Sequence, residues 1–316
     1  MKFSKDFKEI KGDASFRKFY RNTKKNSIIV FANKEKTKNL LIYDSINKIL
    51  IKNNIIAPQL LSQNYKKNYI EIQDLGKKTI YQIFSNYKKK QYPIFKKAIN
   101  VLNKIQLVKD KKIKNFKNEF YLIKDYKNKI LLDEANLFSY WYVPKKLDKK
   151  KINTFKTKFN REIKLLLSKL HFKNDTFVHR DFHVSNLIVN SKNQIGLIDN
   201  QDALIGNKAY DLASLIDDVR YETSNSLKEK VYNYYLMTNK KINADKFKND
   251  YDILSVLRNL KIIGIFMRLA ERDKKRKYLK LIPYAWKMID NRIGKNKDLV
   301  NLKLLLETNF PKFITK

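Results

Sequence analysis

Two carboxylates and one amide are spaced so that they could share a single ion. The segment His179-Arg180-Asp181-Phe182-His183-Val184-Ser185-Asn186 carries Asp181 and Asn186, and Asp199 follows after two short apolar runs, LIV and IGLID. Phosphoryl transfer asks little covalent work of a protein. It needs a carboxylate to accept or orient the proton of the attacking hydroxyl, and oxygen ligands to hold Mg²⁺ on the phosphates. Asp181 suits the first role. Asn186 and Asp199 suit the second, because Mg²⁺ takes a few hard oxygen ligands and keeps several waters. The apolar runs, split by a polar turn, predict a small hairpin. Asn186 precedes its first strand and Asp199 follows its second, so both ends return to one place. A competing explanation, that these residues only terminate turns, would account for a lone Asp but poorly for the whole string.

The elements that must position this loop divide at about residue 75. The first 75 residues read as short strands, with SFRKFYR (15–21) and NSIIVFAN (26–33) rich in aromatic and β-branched side chains. One amphipathic helix is expected over 36–53, where Leu40, Leu41, Ile46, Ile49 and Leu50 fall at helical spacing. APQLLSQN and NYIEIQDLG return to strand character and stop at Gly76. Beyond Gly76 the pattern is helical over 91–109, 116–138, 151–171, 226–237, 247–271 and 276–291, interrupted by the hairpin region 177–206. The fold class is therefore α+β in two lobes: a small β-rich lobe, 1–75, and a larger, mostly helical lobe, 76–316.

The string H-R-D-x-x-x-x-N at 179–186 resembles the catalytic loop of protein kinases and their relatives. IDNQDALIGNKAYDLASLIDDVR (198–220) is similar to the aminoglycoside phosphotransferase-type branch of that protein-kinase-like superfamily. Within the branch, GDASFRKFYR (12–21), IEIQDLG (70–76), LFSYWYVP (137–144) and RNLKIIGIFMRLAERD (258–273) resemble the bacterial anomeric amino-sugar kinases, which phosphorylate N-acetylmuramate and N-acetylglucosamine at C1. The resemblance spans most of the chain. It implies ATP and Mg²⁺ as cofactors, a turn around Gly12, Ser15 and Arg17 over the nucleotide phosphates, and Asp74 and Leu75 at the adenine edge. It further implies an acceptor site near Glu134, Trp141, Tyr142 and Asp202, with Asp211 hydrogen-bonded to the catalytic loop. Core packing competes as the role of Trp141 and Tyr142, given how much area aromatic side chains bury.

The chain departs from the protein-kinase pattern at one point. Where those enzymes carry a lysine on the third strand, IIVFAN offers Phe31. Arg17, Lys18 or Lys34 could supply the charge. Arg is the scarcer cation in this lysine-biased chain, yet Arg17, Arg21, Arg180, Arg220 and Arg268 all fall inside the matched segments. The planar guanidinium fork suits such positions to a geometric demand, with a structural ion pair as the competing explanation for each.

Composition bounds the partners. Lys and Arg number 69 against 31 Asp and Glu, a formal charge of +38. The excess is spread along the whole chain, with Asn and Ile abundant beside it, and reads as a solvated lysine surface with no dedicated nucleic-acid or membrane partner. It should raise the local concentration of anions such as ATP. Cysteine is absent, which removes disulfides and thiolate chemistry and fits a cytoplasmic setting. MKFSKDFKEI reads as no secretory signal, and no apolar run reaches the ~18 residues of a membrane span. The expectation is a monomeric, ATP-dependent kinase of a small hydroxylated substrate, with the anomeric hydroxyl of an N-acetylated amino sugar first. The alternatives are an aminoglycoside- or choline-type acceptor, and a catalytically idle nucleotide-binding module.

Overall fold

The computed structural model describes residues 6–10, 17–33, 35, 39–87 and 91–313. The chain groups into two compact units, one comprising Met1–Lys124 and His179–Leu204, the other Asp125–Val178 and Ile205–Lys316.

The first unit is built on an antiparallel five-stranded sheet. Its strands are β1 (Phe7–Ile10), β2 (Arg17–Asn22), β3 (Ser27–Ala32), β4 (Leu60–Asn64) and β5 (Tyr69–Gln73), ordered β1-β2-β3-β5-β4. Side chains alternate across a strand, so Arg17 and Phe19 of β2 share a face, with Arg17 opposite Ala32 and Phe19 opposite Val30. Helix α1 (Asn39–Lys52) closes that face, and Leu40 and Tyr43 join Val30, Ala32, Ile70 and Ile72 in the core. After β5 the chain makes a tight joint at Asp74–Gly76. Arg21 binds the Asp74 carboxylate and donates to the Gly76 carbonyl at 3.0 Å, while the Gly76 N–H donates to Asp74 Oδ1 at 2.9 Å. Gly76 has φ +126, a conformation that requires glycine.

This joint lies inside the first unit, because the next two helices pack back on that unit. Helix α2 (Ile80–Asn86), opened by a Thr79–Gln82 capping box, donates from Tyr81 N to Val184 O at 3.0 Å. Helix α3 (Gln91–Gln106) packs against β10 (Ile195–Leu197), which with β9 (Leu187–Val189) forms the expected hairpin. A Cβ on Gly196 would stand 2.8 Å from Leu75 and 2.9 Å from Ile56. Glycine there is what lets the hairpin seat on the joint.

The expected helix over 116–138 is corrected in its first part. Strands β6 (Lys112–Lys114) and β7 (Phe120–Leu122) form a short hairpin, and helix begins only at α4 (Asn128–Leu137). The reason is local: the Asn115 side chain accepts from Lys117 N and Glu119 N, and Asn118 takes φ +62. Such side-chain-to-backbone bonds compete with helix.

The second unit is helical around α8 (Ala244–Glu271). Packed with it are α4, α5 (Lys149–Ser168), α6 (Ala209–Ile216) and α9 (Ile282–Ile293), while α7 (Asn225–Thr238) lies against α6 and α10 (Val300–Asn309) against α5. Two short strands, β8 (Thr176–Val178) and β11 (Leu204–Gly206), pair with each other. Helix α4 runs into a π-helical turn, Phe138–Tyr142, whose Phe138 and Tyr142 pack with Trp286 and Phe310. No helix among the described residues is long and apolar enough to cross a membrane.

Gly264 of α8 sits directly against that turn. A Cβ there would overlap the Leu137 carbonyl carbon and fall 2.5 Å from Phe138 N, both backbone atoms that cannot rotate away. Gly264→Ala is therefore expected to destabilise the protein by about 3 kcal/mol, at the upper end for overpacking. Urea unfolding would show a lowered midpoint at an unchanged slope.

Candidate active site

The loop from His179 to Asn186 is held from inside. His179 and Phe182 are fully buried, and His179 Nε2 lies 3.2 Å from the Ile198 carbonyl. Arg180 turns the chain with φ +73 and donates from Nη1 to the Asp202 carbonyl at 3.2 Å. The Asp181 carbonyl accepts from His183 N at 3.0 Å and from Asn186 Nδ2 at 3.1 Å. The Asn186 carbonyl in turn accepts from Ile198 N at 3.1 Å, one residue before Asp199. The hairpin register, Leu187 opposite Leu197, closes the circle. Asp181, Asn186 and Asp199 are thus gathered by backbone geometry, through the hairpin that the two apolar runs foretold.

Arg180 and Asp199, the latter at φ +64, occupy the left-handed region without being glycine. Each costs about 1–2 kcal/mol relative to ordinary backbone. Strain of this kind persists where surrounding contacts enforce it, commonly at functional sites.

Asp199 is met by a cation from the sheet. Arg17 Nη2 lies 2.5 Å from Asp199 Oδ1, and Arg17 Nη1 donates to Gln201 Oε1, also at 2.5 Å. The Arg17 side chain is 5 % exposed and that of Asp199 36 %. The guanidinium also stands 5.6 Å from the Phe19 ring and 5.7 Å from the Tyr43 ring. Burial, reinforced by the Asp199 charge against the opposing charge of Arg17, pushes the Tyr43 phenol up to about 12, so it stays neutral beside the ion pair. Gln201 completes the group: its Nε2 donates to Asp199 Oδ1 at 3.3 Å and to Asp202 Oδ2 at 2.5 Å.

The donor set fits a hard divalent cation. Asn186 directs its amide nitrogen to the Asp181 carbonyl, which turns its amide oxygen the other way. Asp199 Oδ1 takes the bonds from Arg17 and Gln201, and Oδ2 takes neither. Among the described residues no group of three or more His, Asp or Glu side chains is arranged to hold a metal. One amide and one carboxylate suit an ion that keeps waters and shares phosphate oxygens.

The other expected site residues are spread over both units. Gly12 and Ser15 lie outside the described residues, as does Lys34. Lys18 points away from the core face of β2 and is exposed. Asp74 is buried and clamped by Arg21, and Leu75 packs at Gly196. Asp202 is exposed beside Gln201. In the second unit, Glu134 accepts from the Tyr126 hydroxyl and pairs with Lys261 at 2.9 Å. Trp141 is partly exposed, and Asp211 is buried in α6. Tyr142 is 1 % exposed, and its hydroxyl accepts from Trp286 Nε1 at 3.2 Å, so its ring and its polar tip are both committed to the core. Burial pushes its phenol up. Sequence reasoning missed Tyr43 and Gln201. Tyr43 lay in the apolar periodicity of α1, but nothing in a single sequence marks one glutamine among polar neighbours.

The pattern of the phosphotransferase enzyme family matches residues 6–245. An N-acetylmuramate/N-acetylglucosamine kinase from Pseudomonas putida is 26 % identical over 301 residues, 93 % of this chain and 85 % of that protein. The protein of the same name from Neisseria meningitidis is 28 % identical over 286 residues, 86 % of this chain and 80 % of that one. Among solved structures, the GDP and kanamycin complex of APH(2")-IIia is similar with a TM-score of 0.63, at 11 % identity, over 89 % of this chain and 93 % of that one. At such low identity this likeness speaks for the fold, which is protein-kinase-like.

Proposed function

From the premise that the chain belongs to the phosphotransferase enzyme family, we propose that it is an ATP-dependent kinase of the anomeric hydroxyl of an N-acetylated amino sugar. The observation that carries the reading is the convergence of Asp181, Asn186 and Asp199, joined by Arg17. The acceptor class rests on the Pseudomonas and Neisseria kinases, whose likeness runs through most of the chain. In this reading residues 1–75 bind nucleotide and 76–316 carry the catalytic loop and acceptor site, in a monomer working in the cytoplasm.

The Asp181 carboxylate accepts the proton of the C1 hydroxyl as its oxygen bonds to the terminal phosphorus and the bond to the departing ADP oxygen breaks. Asn186 and Asp199 would hold Mg²⁺, which when bound would neutralise charge on the phosphate oxygens. Arg17 supplies the cation that β3 lacks, with Tyr43 and Phe19 fixing its position. This weighs against an idle nucleotide-binding module. Gly12 and Ser15 cover the phosphates, and Asp74 and Leu75 present their backbone to the base. Glu134, Trp141 and Asp202 are kept as acceptor contacts. Tyr142 is released from that role by its burial.

The test is an ATP-consumption screen with Mg²⁺ over N-acetylmuramate, N-acetylglucosamine, kanamycin and choline, with ³¹P NMR of the product. Phosphate should appear on C1, and kcat/KM for the amino sugars should exceed the others by about 10²-fold or more, the scale reached by a pocket that hydrogen-bonds its substrate. Turnover of choline or kanamycin alone, or phosphate on another carbon, would remove the amino-sugar assignment.

A further inference from the structure

Gln201 is a neutral side chain that touches Arg17, Asp199 and Asp202 together. Its side-chain oxygen accepts from Arg17 Nη1 at 2.5 Å, and its side-chain nitrogen donates to Asp199 Oδ1 at 3.3 Å and to Asp202 Oδ2 at 2.5 Å. It is 5 % exposed, with no room to trade these partners for water. The side-chain amide does both things at once, whereas a carboxylate keeps only the accepting half, an alkyl chain keeps neither, and asparagine is a methylene short.

The geometry of Arg17 shows what is at stake. A guanidinium beside a carboxylate closes as a fork, two N–H groups on two oxygens. Here it does not: Nη2 reaches Asp199, while Nη1 is taken by Gln201. Asp199 is therefore bound through Oδ1 alone, with its second oxygen left to the ion in the reading above. We propose that Gln201 is a positioning residue which keeps the Arg17–Asp199 pair one-armed, so that cation and metal ligand serve the same nucleotide without cancelling each other. It acts through Arg17 and Asp199 and need not touch substrate. The proposal rests on the assignment of Asp199 as a magnesium ligand.

Equilibrium binding of a non-hydrolysable ATP analogue, titrated with magnesium, tests it without turnover. In Gln201→Met, a near-isosteric change, Arg17 is released to fork onto Asp199. The magnesium concentration for half-maximal tightening should rise about tenfold, while metal-free affinity stays within about threefold, as expected for one charge-assisted bond gained by a competitor. Adding Arg17→Lys removes the fork and should bring the magnesium requirement back towards that of Arg17→Lys alone. Gln201→Glu keeps an acceptor for Nη1, so its magnesium requirement should not rise. Equal weakening with and without metal in Gln201→Met, no recovery in the double variant, or a tenfold rise in Gln201→Glu would each overturn the proposal. Should Gln201→Met fail to melt cooperatively, the Gln201→Glu measurement decides alone. Wild-type protein that binds the analogue without regard to magnesium would refute the metal-site assignment itself, before any variant is compared.

Discussion

Replacing Asp181 by asparagine is expected to lower kcat by about 10²–10⁴, the worth of a positioned acid–base group, with nucleotide affinity nearly unchanged. The loop's bonds from His183 N and Asn186 Nδ2 end on the Asp181 carbonyl, which asparagine leaves in place. Asparagine keeps the size of the side chain and removes its basicity. Phosphoryl transfer in most analyses passes through a loose transition state, in which the attacking oxygen is only weakly bonded and its proton leaves late. The loss should therefore fall towards the lower end of the range, and shrink further for acceptors with more acidic hydroxyls. Steady-state kinetics beside calorimetric titration of nucleotide would separate the two effects. An unchanged kcat would take the proton-accepting role away from Asp181.

The β9–β10 hairpin was readable because its logic is local. Two apolar triplets around a polar turn must pair, and pairing returns Asn186 and Asp199 to one end whatever the rest of the chain does. Arg17 was half readable. Its residue type, rare in a lysine-rich chain, marked it, and strand alternation put it with Phe19 on one face, but its reach to Asp199 depends on contacts made across 182 positions of sequence. The β6–β7 hairpin was lost because strands of three residues show no period, and KNFKNE reads as helix unless the Asn115 side chain is known to turn back on the backbone. Trp141 and Tyr142 expose a general limit. An aromatic pair after an apolar helix has the same pattern whether it walls a pocket or fills a core, and only burial of Tyr142 against Trp286 and Phe310 distinguishes them.

Charge in this protein divides along the same line. Most of the lysine excess is solvated surface, where single ion pairs contribute about 0–1 kcal/mol. The pairs with consequences are the buried ones, and each relies on arginine or on a lysine drawn inside. Arg17 with Asp199 orders the site. Lys228 and Arg292 with Asp217 order the helices of the second unit.

That second cluster yields the largest expected effect on stability. Asp217, 1 % exposed at the end of α6, receives Lys228 of α7 at 3.1 Å, both arms of Arg292 of α9 at 3.0 and 3.2 Å, and the Ser255 hydroxyl of α8 at 2.6 Å. Arg292 also donates to the Tyr251 hydroxyl at 2.9 Å. Four helices thus meet on one carboxylate. Burial by itself would raise its pKa, but the Lys228 and Arg292 charges outweigh burial and hold it well below the usual carboxylate range. Asp217→Ala strands two cations in the interior and is expected to cost about 3–5 kcal/mol at neutral pH, read as a lowered urea midpoint. Combining it with Lys228→Met should recover part of the loss, since removing a stranded charge is favourable where adding one is not. Because the folded-state pKa is depressed, the contribution is complete above the unfolded value of about 4 and drains away as acid protonates the folded carboxylate. Wild type and Asp217→Ala should therefore converge in stability as the pH falls below about 4. A gap that stayed constant into acid would mean that Asp217 holds these helices by packing and not by charge.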